Sequence, residues 1–213
     1  MALELWHLAL ALALLVAALV SAELREHARV RAALKLLASL TFVAAGALFL
    51  PLHAMAGRWL MAGLVLSLVG DVALIPKGKK ALFLAGLGAF LAAHLCYVAA
   101  FIARGHHGAH ALAVGALVLA AGLALARWLW PHVRGGMRAP VAAYVVTISA
   151  MVACAAGAFG AGARPTLFAG AVLFYLSDLC VARERFVVRA RVNGALGLPL
   201  YYAAQLLLVD GLG

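Results

Sequence analysis

Apolar residues run in long, almost uninterrupted stretches along this chain, and short polar segments separate them. A helix needs about 20 apolar residues to cross the ~30 Å hydrocarbon core of a bilayer, because each residue adds about 1.5 Å. The pattern therefore predicts an all-α integral membrane protein, a bundle of eight transmembrane helices. The predicted spans are about residues 4–22, 33–51, 59–76, 81–103, 109–130, 139–158, 165–182 and 193–211.

Composition and length agree with this interpretation. Hydrophobic residues make up 68% of the chain and charged residues 11%, whereas about a quarter of the residues in a soluble domain are charged. We expect residues 1–213 to form a single transmembrane domain, with no room in the loops for a nucleic-acid-binding module. The first stretch has Glu4 in front of it and no Lys or Arg, which indicates a membrane span rather than a signal peptide.

The distribution of basic residues predicts the orientation. Only three of the 17 Lys and Arg residues fall in the second, fourth and sixth loops, namely Arg58, Arg104 and Arg164. Short loops that retain positive charge stay on the cytoplasmic side. We therefore expect the odd-numbered loops to face the cytoplasm and both termini to face away from it. The membrane would be the bacterial cytoplasmic membrane, or the endoplasmic reticulum in a eukaryote, and the net charge of +10 would meet anionic lipid headgroups.

Two carboxylates lie well inside apolar stretches. Asp71 and Asp178 each come about five residues before their span ends in a basic loop. A charged group at the membrane centre costs at least about 2.5 kcal/mol, so such residues indicate a functional site. The structural alternative is an ion pair with Lys35 or Arg183. Because spans three and seven run in the same direction, a parallel repeat of two four-helix halves would place the two aspartates in equivalent positions.

Other polar side chains are predicted near the same depth. At ~1.5 Å per residue, Lys35, Asp71, Tyr144, Asp178 and Asn193 would all lie within roughly 8 Å of the cytoplasmic boundary. Further polar groups lie on spans three, four, seven and eight: Ser67, His94, Tyr97, Ser177, Tyr201, Tyr202 and Gln205. Together they could line one cavity.

Each of these residues also has a structural interpretation. Lys35 could extend its amine to the interface, and the tyrosines could be packing aromatics. His94 could be a satisfied core histidine, and the amides could link helices. The serines could bond to the preceding helical turn.

Metal and cofactor chemistry has little support in the sequence. Cys96, Cys154 and Cys180 all lie in spans and have no zinc-ligand spacing, so they are predicted to be packing residues. The cluster of His106, His107 and His110 falls in an outer loop and is expected to be solvated. Motifs of serine hydrolases, metalloproteases and nucleotide-binding proteins do not occur. We expect no metal and no cofactor.

The polar residues in these spans resemble those of a known family. The chain is similar to the YhhN-like lysoplasmalogenases, multispanning membrane proteins, from about Lys35 to Gln205. The resemblance rests on Ser67-Leu-Val-Gly70-Asp71, on Gly86, Phe90, His94 and Tyr97, on Tyr144, on Gly170-Ala-Val-Leu-Phe174-Tyr-Leu-Ser177-Asp178 and on Tyr201-Tyr202-Ala-Ala-Gln205. Members commonly have a proline after the lysine of span two, whereas this chain has Leu36.

The resemblance implies hydrolysis of the vinyl ether bond of lysoplasmalogens, which gives a fatty aldehyde and glycerophosphoethanolamine or glycerophosphocholine. Vinyl ethers hydrolyse when a proton is delivered to the β-carbon and water captures the resulting oxocarbenium ion. That chemistry needs a protonated carboxylic acid and a second, ionised carboxylate, and unequal environments can divide two carboxyls in this way. Asp71 and Asp178 are the predicted pair, with either one as the acid. Lys35 and the basic loops would meet the lipid phosphate, and the other polar residues would line the pocket.

Three alternatives stay open at this point. Paired intramembrane carboxylates also serve as proton relays in transporters, and an intramembrane aspartyl protease uses two aspartates, although the G-x-G-D sequence of that class is missing here. A lipid-binding membrane protein with structural aspartates is the third. A transporter would need polar residues along the whole depth of the bundle, whereas the charge here is concentrated toward one face.

Overall fold

The computed structural model describes residues 4–76, 78–133 and 135–213. Eight long α-helices account for most of them, and each is long and apolar enough to cross a membrane. They are α1 (Leu5–Leu24), α2 (Ala28–Phe49), α3 (Met55–Ala73), α4 (Lys80–Arg104), α5 (Gly108–Leu129), α6 (Arg138–Gly160), α7 (Pro165–Ala182) and α8 (Arg191–Leu212). No strand occurs in the described ranges. The predicted all-α bundle of eight spans is confirmed.

The bounds of α2 and α3 differ most from the prediction. Helix α2 begins at Ala28, five residues before the predicted start at 33, and its polar first turns carry Arg31, whose guanidinium lies 3.1 Å from Glu23 of α1. Helix α3 ends at Ala73 rather than at 76. Pro76 disfavours the helical conformation at the residue before it, which explains the early end.

Large apolar side chains cover the outside of the bundle. Leu112, Leu117 and Leu123 of α5 are each more than 60% exposed, and α5 buries only Gly122 and Leu129. Such a surface is unfavourable in water, but lipid chains cover it in a bilayer. The fold is that of an integral, multi-pass membrane protein.

The predicted repeat has counterparts in the helix contacts. A Cβ atom on Gly63 of α3 would meet Tyr97 of α4, and a Cβ atom on Gly170 of α7 would meet Leu208 of α8. Seven residues after each of these glycines, the carbonyl of Gly70 or of Ser177 faces a glycine of the following helix: Gly86 in the first case and Gly197 in the second. The hairpins α3–α4 and α7–α8 therefore pack with the same register. Asp71 and Asp178 directly follow these matching carbonyls.

The central helices position the polar residues. Helix α8 packs on α7 and also contacts α1, α2 and α3, while α4 packs on α3 and contacts α6. After α7, a single π-helical turn covers Arg183–Val187, and it directs the chain back toward α8. This arrangement leaves a space between the two hairpins and α6.

Candidate active site

A cavity of about 630 Å³ contains both intramembrane aspartates in its wall. Its polar side also includes Lys35, Tyr144, Ser177, Asn193 and Tyr201. Helices α4, α5 and α6 contribute much of its apolar lining: Leu87, Phe90, Leu125, Leu129, Val141, Val145 and Ile148. The cavity is large enough for part of a lipid-sized molecule and has its polar groups on one side, which is typical of a small-molecule site.

Asp71 is almost completely buried, with 3% of its surface exposed. Its Oδ1 atom lies 3.1 Å from the ammonium nitrogen of Lys35. Its Oδ2 atom accepts hydrogen bonds from the hydroxyls of Ser39 and Tyr201, each at 2.7 Å. One cation and two hydroxyl donors surround this carboxyl.

Ser39 and Tyr202 can both donate a hydrogen bond to the carbonyl of Lys35. Ser39 Oγ also lies 2.9 Å from the Lys35 carbonyl, and a hydroxyl has a single hydrogen to donate. Tyr202 donates to the same carbonyl at 3.2 Å. The carbonyl of Lys35 is thus satisfied while Ser39 donates to Asp71.

Asp178 has fewer donors around it. Its Oδ2 atom accepts a hydrogen bond from Tyr144 at 3.3 Å and lies 3.4 Å from Nε2 of His94. The His94 ring is fully buried between aromatic side chains, with its centroid 4.6 Å from that of Phe174. In the described ranges no Lys or Arg forms an ion pair with Asp178. The predicted alternative partner, Arg183, donates to Asn193 instead.

Behind the cavity wall, a second polar chain links three helices. Tyr97 donates to Oε1 of Gln205 at 2.9 Å, and Ser67 lies 3.0 Å from the Tyr97 hydroxyl. The Gln205 Nε2 atom is buried and has no hydrogen-bond partner among the described residues. These groups connect α3, α4 and α8, so they hold in place the helices that carry Asp71, His94 and Tyr201.

The open end of the cavity is basic. Lys79, Arg185 and Arg189 border it, and all three side chains are exposed. The Arg185 guanidinium lies 4.0 Å from the ring centroid of Phe83, a cation–π contact that fixes its position. The nearby carboxylate of Glu184 accepts from the Asn193 amide at 2.8 Å and from the Ala190 amide nitrogen at 2.9 Å.

Comparison with known proteins identifies the family. The profile of the YhhN family matches residues 30–212. The chain belongs to the YhhN family. It is 36% identical over 200 residues to a Mycobacterium tuberculosis protein named lysoplasmalogenase, in an alignment that covers 89% of this chain and 72% of that protein. Human lysoplasmalogenase TMEM86A is 38% identical over 177 residues, which are 79% of this chain and 70% of the human protein.

A third relative extends the comparison. Mouse lysoplasmalogenase TMEM86B is 37% identical over 155 residues, covering 71% of this chain and 62% of the mouse protein. No solved structure matches the chain. These three relatives come from a bacterium and from two mammals, and each carries the name lysoplasmalogenase.

In this YhhN-family protein, the residues predicted from the sequence divide into two groups. Seven of them line the cavity: Lys35, Asp71, Tyr144, Ser177, Asp178, Asn193 and Tyr201. Ser67, His94, Tyr97, Tyr202 and Gln205 contact that group or each other from behind it. Ser177 bonds to the Phe174 carbonyl at 2.7 Å, which is the local bond predicted for it. Asn193 ties α8 to the π-helical turn through Glu184.

The sequence analysis missed one residue that touches a candidate catalytic group. Ser39 donates a hydrogen bond to Asp71. A single serine in an apolar stretch does not by itself indicate a functional role, so the sequence analysis did not select it. The signal that could have found it is its position four residues after Lys35, because residues i and i+4 share a helix face.

Proposed function

We propose that this protein hydrolyses the vinyl ether bond of lysoplasmalogens. The observation that carries the proposal is the cavity itself, whose wall contains two carboxyls in unlike surroundings, Asp71 buried and Asp178 partly buried. The relatives named lysoplasmalogenase supply the substrate class. The products would be a fatty aldehyde and a glycerophospho-base.

The two carboxyls supply the chemistry that this bond requires. One carboxylic acid transfers its proton to the β-carbon of the vinyl ether, and the double-bond electrons form the new C–H bond. The positive charge that develops on the neighbouring carbon and oxygen is stabilised by the other, ionised carboxylate. Water adds to that carbon, and the hemiacetal then breaks its bond to the glycerol oxygen.

The cavity accommodates the two ends of a lysophospholipid differently. The aldehyde-forming chain lies along the apolar wall, where Leu125, Val145 and Ile148 face it. The phosphate meets the cations at the open end, Arg185, Arg189 and Lys79. Lys35 lines the same cavity but its ammonium is already paired with Asp71, so we assign it first to that carboxylate. Arg guanidinium groups suit phosphate because they donate two parallel hydrogen bonds.

The proposed topology puts the open end of the cavity on the cytoplasmic side. Lys79 and Arg189 belong to the third and seventh loops, which the distribution of Lys and Arg assigns to the cytoplasm. Single-cysteine variants in a chain without Cys96, Cys154 and Cys180 can check this. A cysteine at Arg189 should resist an impermeant thiol reagent in intact cells, whereas one at Arg164 should react.

The activity test compares two substrates. Pure protein is incubated with a vinyl ether lysolipid and with its alkyl ether counterpart, which has no double bond to accept a proton. Aldehyde from the first substrate alone is the expected result. Uptake into proteoliposomes without aldehyde would instead support a transporter, and binding without product would support a lipid-binding protein.

A further inference from the structure

We propose that Asp178 carries the proton that is delivered to the substrate, that Asp71 stays ionised, and that His94 is the positioning residue that holds the proton on Asp178. This assignment rests on the proposed vinyl ether hydrolysis. It comes from the hydrogen-bonding roles of the groups around each carboxyl.

The tautomer of His94 is fixed by its own helix. Nδ1 lies 2.6 Å from the carbonyl oxygen of Phe90, one turn earlier in α4. A carbonyl oxygen can only accept, so Nδ1 must carry a hydrogen. In the neutral ring, Nε2 then carries no hydrogen and has a lone pair that can accept a hydrogen bond.

The Nε2 atom of His94 lies close to Asp178. Nε2 lies 3.4 Å from Oδ2, and it has no aligned hydrogen-bond donor among the described residues. An ionised carboxylate beside a lone pair would leave two acceptors facing each other in a buried place, which is unfavourable. A proton on Asp178 Oδ2 removes this conflict, because the acid can then donate to Nε2.

The surroundings of Asp71 lead to the opposite state. Lys35, Ser39 and Tyr201 all direct hydrogens at its two oxygens. A proton on Asp71 would displace one of these donors and leave the partly buried Lys35 ammonium without its counter-charge. The two carboxyls therefore divide into an acid and a carboxylate without any substrate present.

His94 acts through Asp178 rather than on the substrate. Its side chain is fully buried, and Asp178, which its Nε2 approaches, lines the cavity whereas His94 does not. Tyr144 also donates to Asp178 Oδ2, so it can stabilise the carboxylate that remains after the proton has left.

The proton transfers balance over one turnover. Asp178 gives its proton to the β-carbon and becomes a carboxylate. Water adds to the oxocarbenium carbon and gives a proton to Asp71. The hemiacetal hydroxyl then returns a proton to Asp178 as the carbon–oxygen bond to glycerol breaks, and Asp71 protonates the departing glycerol oxygen. Both residues end in their starting states.

The decisive experiment reads protonation directly. Infrared spectra of the purified protein at neutral pH, in water and in heavy water, reveal the C=O stretch of a protonated carboxyl. We expect this band in the wild type and in Asp71→Asn, and its loss in Asp178→Asn. A band that is lost in Asp71→Asn and kept in Asp178→Asn, or one that is missing from the wild type, would overturn the assignment.

The spectrum separates this inference from the proposed function. Aldehyde release is measured on the same wild-type preparation. A protein with the Asp178 band but no aldehyde release would contradict the hydrolase function and leave the protonation assignment standing. A protein that releases aldehyde but has the band on Asp71 would support the hydrolase function and contradict the protonation assignment.

Two substitutions at His94 test the positioning role. Gln can place an amide oxygen where Nε2 lies and accept the proton of Asp178, whereas Phe fills the aromatic site but accepts nothing. We expect kcat to fall about 100-fold in His94→Phe with KM changed less than about twofold, and to recover at least about tenfold in His94→Gln. Equal activity of the two variants, at equal thermal stability in detergent, would contradict the role. If His94→Phe fails to fold, the infrared comparison of the aspartate variants decides.

Discussion

The two halves of the bundle present the same carboxyl in different surroundings. Asp71 lies near the end of α3 and contacts α2 and α8. Asp178 lies near the end of α7 and contacts α6 and α4. If the bundle is divided into two halves of four helices, α2 corresponds to α6 and α8 corresponds to α4, so the two aspartates contact equivalent helices. The difference lies in what they contribute: an ammonium and two hydroxyl donors to Asp71, and one hydroxyl and a histidine lone pair to Asp178. Two hairpins that pack with the same register can therefore supply both an acid and a carboxylate.

The largest expected effects come from removing either carboxyl. Asp71→Asn and Asp178→Asn should each lower kcat for aldehyde release by about 10²–10⁴, the contribution of a positioned acid or base. Because both groups serve one reaction, the double variant should be little worse than either single variant. Steady-state kinetics on protein that elutes as one peak in detergent checks this. Losses that multiply in the double variant would mean that the two carboxyls act independently.

Removing the Lys35 cation, which pairs with a buried carboxyl, should affect stability more than any change at Asp178. Lys35→Met leaves Asp71 without its counter-charge, and breaking a buried ion pair in this way costs about 3–5 kcal/mol. Adding Asp71→Asn to Lys35→Met should restore most of the loss. Among the residues that the structure describes, no Lys or Arg pairs with Asp178, so Asp178→Asn serves as the matched control, with a much smaller change. Thermal unfolding in detergent measures all four proteins. A stable Lys35→Met variant would show that the ion pair contributes little.

The basic end of the cavity should affect binding rather than chemistry. Replacing Arg185 and Arg189 by Gln removes charge-assisted contacts to phosphate, so KM should rise about tenfold or more with little change in kcat. Arg104→Gln, an exposed arginine beyond the cavity, is the control and should behave as the wild type. A fall in kcat at unchanged KM would place these arginines in the chemistry of the acid–base pair instead.

The smallest expected effect concerns a single donor to the ionised carboxyl. Ser39→Ala removes one hydrogen bond to an ionised carboxyl, which contributes about 1.5–3 kcal/mol to stability. Because Lys35 and Tyr201 still hold Asp71, kcat should fall only a few-fold. Thr41→Ala is a matched control on the same helix, because its hydroxyl bonds to the Leu37 carbonyl at 2.9 Å and is exposed. If both variants lose the same activity, the Ser39 bond to Asp71 has no special role.

Most of the fold could be predicted from the apolar stretches. Eight runs of sufficient length give eight helices because a bilayer leaves a backbone few other ways to satisfy its hydrogen bonds. The ends were harder to place, as at α2, where Arg31 continues the helix beyond the apolar stretch by pairing with Glu23. Such a pairing depends on a second helix and leaves no local signal.

The sequence predicted which residues belong to the candidate site better than it predicted how they are arranged. Depth alone grouped Lys35, Asp71, Tyr144 and Asp178, and all four line one cavity. Depth does not say which way a side chain points around its helix, so the placement of His94 and Gln205 behind the wall could not be foreseen. The same limit hid Ser39, whose hydroxyl matters only because α3 brings Asp71 within reach.

The sequence by itself determined the membrane class, the number of spans and the two residues whose burial is most expensive, because each depends on the transfer of side chains between water and lipid. That property is local and can be read along the chain. Only the tertiary structure decided which groups surround each aspartate. Hydrogen bonds reach about 3 Å, so the difference between Asp71 and Asp178 arises from helices distant in sequence that packing brings together.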